Sequence, residues 1–272
     1  MGREAMRLHD YLQRVGVEPP AAPTIDWLRQ VHRAHRRAFL FENLTIQTGG
    51  SISVMIEDIE RKFLDRRQGG YCFEHNSLFA AVLRDVGYDV APFLGRVRRG
   101  PPERWARTHM VLKVGSQGSL GARGSWLADV GFGALSLIEP MPLREGASVQ
   151  QGGLTYTLRR EGGLWVLAMR DAIQDVDLYE FNEDPQTLGD VIVANHYTST
   201  HPESIFRRSL TIQTVRGDER ITLRAETISR YVGGVLREEP LDRARLRDAA
   251  RDLFGVEIPD GPLVYEQYAV NV

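Results

Sequence analysis

Apolar residues follow two different rhythms along this chain. Over roughly the first 90 residues they recur at helical spacing. Trp27, Leu28, Val31, Ala34 and Phe39 mark one predicted helix in DWLRQVHRAHRRAF, and Ile56, Ile59 and Phe63 put a stripe on SVMIEDIERKFLDRR. A third helix is predicted from Phe73 to Val86, with Leu78, Phe79, Val82, Leu83 and Val86 on its core face and Gly87 as its stop. From Tyr88 to about residue 175 the apolar runs shorten and are cut by Gly, Pro or Ser. VAPFLGRV, THMVLKV and SWLADVGF read as strands, and LTYTLRR and LWVLAMR flank Glu161-Gly162-Gly163 as a hairpin. The last part mixes both rhythms. SLTIQTV and RITLRAETI flank Arg216-Gly217-Asp218-Glu219 as a second hairpin. LDRARLRDAARDLFG carries Leu241, Ala244, Leu246, Ala249 and Leu253 on one side and ends at Gly255. RRGPPERWAR, residues 98–107, is the most loop-like stretch. The class expected is α+β.

Composition narrows the setting. A chain of 272 residues, 42% apolar and 26% charged, is ordinary for a soluble globular protein and long enough to bury a core without metals or disulfides. A net charge of −2 supplies no strong field for nucleic acid or an anionic membrane. Neither partner is expected. The first residues hold no apolar run of signal-peptide length, Met6 breaks the myristoylation pattern, and no stretch approaches the ~18 apolar residues of a membrane span. One cysteine allows no intrachain disulfide and suits a reducing compartment, so a cytoplasmic location is expected.

That cysteine, Cys72 in RRQGGYCFEHN, is the first candidate for chemistry. A lone cysteine is more often a small buried hydrophobe. Here an apolar-periodic helix follows it immediately, and Gly69-Gly70 allows a tight turn before it. A sulfur at a helix start faces unpaired N–H groups and the positive end of the dipole, which favour thiolate. Such a nucleophile needs a base, and the base needs an orienting group. Of seven histidines, His32 and His35 lie on a basic helix and are expected to face solvent; His75 sits one turn from Cys72 on the same helix and reads as a local hydrogen-bonding residue. His109 opens the apolar strand THMVLKV; taken alone it is more often a satisfied core residue. Asp129 in SWLADVGFG has Trp126, Leu127, Val130 and Phe132 around it, a costly place for a carboxylate without a partner. If the two strands are neighbours, Asp129 can pair with His109 and set its tautomer.

Other motifs are weaker. Gly131-Phe132-Gly133 lacks the third glycine of a dinucleotide loop, since position 136 is Ser136. There is no paired-cysteine motif, and no metal is expected. His196 and His201 in ANHYTSTHP read either as metal ligands or, more simply, as parts of a hydrogen-bonded loop or helix end.

Taken together, FEN at 41–43, GGYCFEHN at 69–76, GRV at 95–97, TH at 108–109, DVGFG at 129–133 and NHYTSTHP at 195–202 resemble, in order and over most of the chain, the arylamine N-acetyltransferases. The resemblance implies a papain-like cysteine-enzyme core: a helical bundle (1–87) carrying the nucleophile, a β-barrel (88–187) carrying base and acid, and a C-terminal α/β lid (188–272). It implies Cys72 as nucleophile, His109 as base and Asp129 as orienter. It places Phe41, Val97, Phe132 and Phe206 along the acyl-acceptor pocket, and Thr108 and Gly133 where the pantetheine arm of coenzyme A approaches. Acetyl-CoA would be the co-substrate and an aromatic amine or hydrazine the acceptor. Three departures stand out. Gln68 occupies the usual place of an arginine thought structural, a role left to Arg67 or another group; Leu40 replaces a proline; and the basic loop RRGPPERWARTH looks short.

The chemistry implied is a ping-pong transfer through an acetyl-Cys72 thioester, with the thiol held ionised below its free pKa of roughly 8.5. One rival uses the same triad on an acyl-carrier-protein thioester to release a polyketide as an amide. Others are a cysteine hydrolase and a binding module with an inert cysteine.

Overall fold

The computed structural model describes residues 6–115 and 124–269. The N-terminal part is helical: α1 (Leu8–Val15), α2 (Ile25–Ala38), α3 (Leu44–Gln47), α4 (Ile56–Glu60) and α5 (Cys72–Asp85), with a two-residue strand β1 (Phe41–Glu42) between α2 and α3. The predicted second helix spans α4 and a π-helical turn, Arg61–Asp65, that keeps Ile59 and Phe63 in the core.

The middle of the chain forms β2 (Asp89–Val97), β3 (Arg107–Gly115), β4 (Trp126–Ala128), β5 (Met141–Pro142), β6 (Ser148–Gln151), β7 (Leu154–Glu161), β8 (Leu164–Arg170) and β9 (Asp175–Phe181). These pair in the order β5-β4-β3-β2-β9-β8-β7-β6, an antiparallel sheet rolled into a nearly closed barrel. The register puts Leu112 opposite Ala128 and Gly95 opposite His109. Helix α5 packs against β2 and β3, so the first residue of one element faces the start of another.

The last part holds α6 (Leu188–Thr200), α7 (Ile205–Arg208), β10 (Thr211–Arg216), β11 (Glu219–Arg224), β12 (Thr227–Val232), β13 (Val235–Pro240), α8 (Leu246–Phe254) and α9 (Glu266–Ala269). RITLRAETI is not one strand: the chain turns at Ala225, whose φ is 46°, and continues as β12. β10 to β13 form a sheet that takes in β1 at its edge, through Phe41–Gln213 and Glu42–Ile212. The C-terminal segment docks on Gln47, which accepts hydrogen bonds from the amides of Val264 and Tyr265 (both 2.8 Å).

The buried face of α2 runs through Trp27, Leu28, Val31, His32, His35 and Arg36. His32 and His35 therefore do not face solvent; both are completely buried. Helical spacing placed them on the core stripe, and fixed partners make the burial affordable. Tyr11 donates to His35 Nδ1 (2.9 Å), His35 Nε2 donates to His75 Nδ1 (2.9 Å), and His75 Nε2 donates to the Leu40 carbonyl (3.0 Å). Because the carbonyl can only accept, the tautomer of each ring in the chain follows.

Candidate active site

Cys72 is the first residue of α5 and is buried. Its helix start is tightly held. Glu74, three residues beyond the N-cap Tyr71, accepts from the Tyr71 amide (3.1 Å). Cys72 Sγ lies 3.6 Å from the carbonyl of Thr108, the residue before His109. Gly131 is what lets the Asp129 loop close on this helix: a Cβ there would stand 2.9 Å from Cys72 Cα and 2.6 Å from Asn76 Nδ2. The glycines before Cys72 also serve close approach, since a Cβ on Gly69 would come within 2.0 Å of the Leu40 carbonyl.

His109 Nε2 donates to Asp129 Oδ2 at 2.8 Å, with both side chains buried. That bond leaves Nδ1 as the basic nitrogen. Asp129 follows β4 directly, so the neighbouring-strand condition read from the sequence is met. Burial alone would raise its carboxyl. The His109 charge and hydrogen bond, with bonds from the Gly131 amide (2.9 Å) and Asn76 Nδ2 (3.1 Å), outweigh this and hold it below the usual carboxylate range. Tyr179 packs on the His109 ring at 4.9 Å, its hydroxyl facing Asp129 without good hydrogen-bond geometry.

Burial pushes the Cys72 thiol up, and the Asp129 charge adds to this; the amides of Met110 and Phe73 oppose it. This runs against the sequence expectation of a thiol lowered by its helix. An isolated thiolate is disfavoured in so dry a place, and ionisation requires a nearby group to receive the proton.

Two side chains that the sequence reading missed tie this arrangement together. Asn76 donates to Asp129 and to the Met110 carbonyl (2.7 Å), and its Oδ1 accepts from the Val130 amide (3.2 Å), so one amide joins α5, β3 and the Asp129 loop. His32 Nε2 accepts from the Asp129 amide (3.3 Å) while its Nδ1 donates to the Ile138 carbonyl (2.9 Å). The asparagine within GGYCFEHN was in view as a motif letter only.

The expected binding residues separate into two walls. Phe41 and Phe206 lie 6.1 Å apart, and Phe206 meets Tyr71 edge-on at 5.2 Å. Asn43 anchors this wall by donating to the carbonyls of Phe206 (2.7 Å) and Ser209 (2.8 Å). Phe132 stands against His109 (4.9 Å) and Tyr179 (5.1 Å), and Val97 pairs with Tyr179 across the strands. The Gly133 carbonyl accepts from Arg36 (2.9 Å). A groove of about 710 Å³ lies elsewhere, between Arg98, Trp105, Arg159 and Arg170 on the barrel, and no candidate site residue lines it. Among the described residues no cluster of His, Cys, Asp and Glu could hold a metal; His196 is an exposed residue of α6, and His201 ends that helix stacked on Tyr197 at 4.4 Å.

Gln68 and Arg67 are exposed. Lys62, in the π-helical turn, sends its ammonium inward to Glu74 (2.7 Å) and Glu42 (4.0 Å), both buried. Burial raises Glu74 to about 7 against the pull of Lys62, with Glu42 adding to the rise.

A sequence profile described as N-acetyltransferase matches residues 24–263. The arylamine N-acetyltransferase of Mycolicibacterium smegmatis is 35% identical over 94% of both chains. The chain belongs to the arylamine N-acetyltransferase family. The Salmonella typhimurium member, described as arylamine N-acetyltransferase / N-hydroxyarylamine O-acetyltransferase, is 33% identical and spans 95% of this chain and 85% of its own. The structure of the Mycobacterium marinum member in complex with CoA superimposes with a TM-score of 0.85 at 35% identity, covering 92% of each chain. The α+β, papain-like fold expected of the family is therefore present. Relatives of this kind do not favour the carrier-protein reading.

Proposed function

We propose that this protein transfers an acetyl group from acetyl-CoA to an aromatic amine or hydrazine, with Cys72 as nucleophile, His109 as base and Asp129 as orienter. The observation that carries the residue assignment is the buried His109–Asp129 bond beside the first residue of α5. As the thioester enters, Cys72 gives its proton to His109 Nδ1 and the sulfur attacks the carbonyl carbon. The new C–S bond forms, the bond to the coenzyme sulfur breaks, and that sulfur leaves with the proton from His109. The amine nitrogen then attacks the acetyl-Cys72 carbon, His109 accepts the amine proton, and the Cys72 sulfur departs. Asp129 stabilises the imidazolium in both halves. The amides of Phe73 and Met110, which face the sulfur, are the donors best placed for the oxyanion.

Phe41 and Phe206 on one side, and Val97 and Phe132 on the other, supply apolar surface for an aromatic acceptor. Thr108 and Gly133 border the path for pantetheine. We read residues 1–87, 88–187 and 188–272 as the bundle, barrel and lid of this machine; the apolar cluster of the bundle also takes in Leu94, Met110, Leu112 and Val130 from the middle stretch and Val191 and Ala194 of α6. A single cysteine that must stay reduced supports a cytoplasmic enzyme.

The test is intact mass after incubation with acetyl-CoA alone. One acetyl group is expected on the wild type, none on Cys72→Ala, and addition of an arylamine should remove it. An adduct that persists in Cys72→Ala would refute the assignment.

A further inference from the structure

The loop from Asp129 to Gly133 begins with the orienting carboxylate and ends beside Phe132, and helix α2 holds both of its ends. His32 and Arg36 lie one turn apart on the buried face of that helix, 0% and 6% exposed. His32 Nε2 accepts from the Asp129 amide (3.3 Å). Arg36 Nη2 donates to the carbonyl of Gly133 (2.9 Å) and, at longer range, to that of Ala134 (3.4 Å). Between these points the Val130 amide is taken by Asn76 and the Phe132 amide by Ser136 Oγ (2.7 Å). Past Gly133 the C-terminal sheet takes over. Gln213 accepts from the Ala134 amide (2.5 Å), and Arg220 donates to the carbonyls of Ala134 and Ser136.

A buried guanidinium is a costly way to fasten a turn. Burial, then repulsion from Arg220, lowers Arg36 to about 9, which leaves it charged at neutral pH. The charge of Asp129 acts in its favour, but Asp129 is hydrogen-bonded to His109 rather than paired with Arg36. An apolar side chain of similar length would fill the same space at lower cost. It would not hold Gly133. That glycine sits at φ 72°, in the left-handed region, and the bond to its carbonyl from the Ser136 amide (3.1 Å) lies within the turn itself. The bond from Arg36 ties the carbonyl to the helical part of the molecule.

Phe132 directly precedes Gly133, and its ring meets His109 edge-on at 4.9 Å. We propose that Arg36 is a positioning residue for the second half of the acetyl transfer described above, on which this inference rests. By fixing the turn at Gly133, Arg36 sets the Phe132 ring where an aromatic acceptor must lie for its nitrogen to reach the acetyl-Cys72 carbon. A displacement of about 1 Å at such a place costs on the order of 10²-fold in rate. An acceptor too small to rest on the ring does not feel it.

In a ping-pong scheme kcat/KM for the acceptor reports the acetyl-enzyme alone, so effects on acetyl-CoA drop out. Initial rates are therefore compared for p-anisidine and for hydrazine. Arg36→Met replaces a buried charge by apolar atoms and is expected to fold. It should lower kcat/KM for p-anisidine about 10- to 100-fold and leave that for hydrazine within about threefold. Arg36→Lys keeps a charged donor and should recover most of the loss. Where the methionine variant does not fold, Arg36→Gln is put to the same ratio. A merely structural role would lower both acceptors together or neither. Equal losses on the two acceptors, or no loss on p-anisidine, overturn the proposal. A wild type that acetylates neither acceptor overturns the acetyl-transfer reading, and the proposal with it.

Discussion

At the scale of single residues, the catalytic proposal rests on a buried carboxylate held by three hydrogen bonds. Asp129 receives hydrogen bonds from His109, Asn76 and the Gly131 amide. Asp129→Asn preserves the shape and removes the charge that sets and stabilises the imidazolium. A loss in kcat/KM of about 10³–10⁴ is expected with little change in melting temperature; unfolding of the variant would instead mark Asp129 as structural. Since burial raises the Cys72 thiol, its ionisation depends on the base. Iodoacetamide should therefore alkylate Cys72 at least about tenfold more slowly at neutral pH in folded His109→Gln than in wild type. Equal rates would remove His109 from that role.

At the scale of elements, the start of α5 is held by charge and by close backbone contact. Among the described residues Lys62 is the single cation paired with Glu42 and Glu74, and Glu74 caps the helix that carries Cys72. Lys62→Met leaves two buried carboxylates without a counter-charge and should cost about 3–5 kcal/mol by chemical denaturation, whereas Lys62→Arg should retain most of the stability. A loss below about 1 kcal/mol for the methionine variant would show that the carboxylates have another means of neutralisation. Gly69→Ala drives a methyl against the backbone carbonyl of Leu40, which cannot swing aside, at the point where the chain pairs with β1. A fall in stability of at least about 1–3 kcal/mol is expected by the same measurement.

At the scale of the whole molecule, buried titratable groups couple the fold to pH. Burial lowers His32 to about 3, His75 to about 4 and His35 well below its ordinary value. In the unfolded chain these rings protonate near 6.5, so below that pH the unfolded state binds protons the native state refuses. Stability they confer is complete above pH 6.5 and lost as pH falls toward 4. Glu74 works in the other direction: raised to about 7, it confers stability below its unfolded pKa near 4.5 that is lost as pH rises to 7. Three histidines against one carboxyl leave two net protons, hence a slope of roughly 2.7 kcal/mol per pH unit between about pH 4.5 and 6.5. Urea titrations at pH 7.5, 6.5 and 5.5 should show stability nearly flat over the first interval and falling steeply over the second. A flat response throughout would mean that the folded protein takes up as many protons as the unfolded chain over this range.

Local periodicity carried much of the architecture. Helices α2 and α5, the β7–β8 and β10–β11 hairpins and the stop at Gly255 follow from hydrophobic spacing and turn residues, because these depend on neighbours in sequence. Cys72 was legible as a candidate because a helix follows it immediately and two glycines precede it. His109 and Asp129 were legible only as polar residues in apolar strands; their pairing required β3 and β4 to lie side by side. The buried histidines, Asn76 and Lys62 could not be read this way. Hydropathy marks such residues as surface, and their partners stand far away in sequence, as Ile138 does from His32 and Glu74 from Lys62. Sequence alone determined which segments form helices and strands and where a nucleophile could arise, since those choices are local. The tertiary structure decided which polar groups go inside, because burying each one depends on a partner that only the folded chain brings within reach.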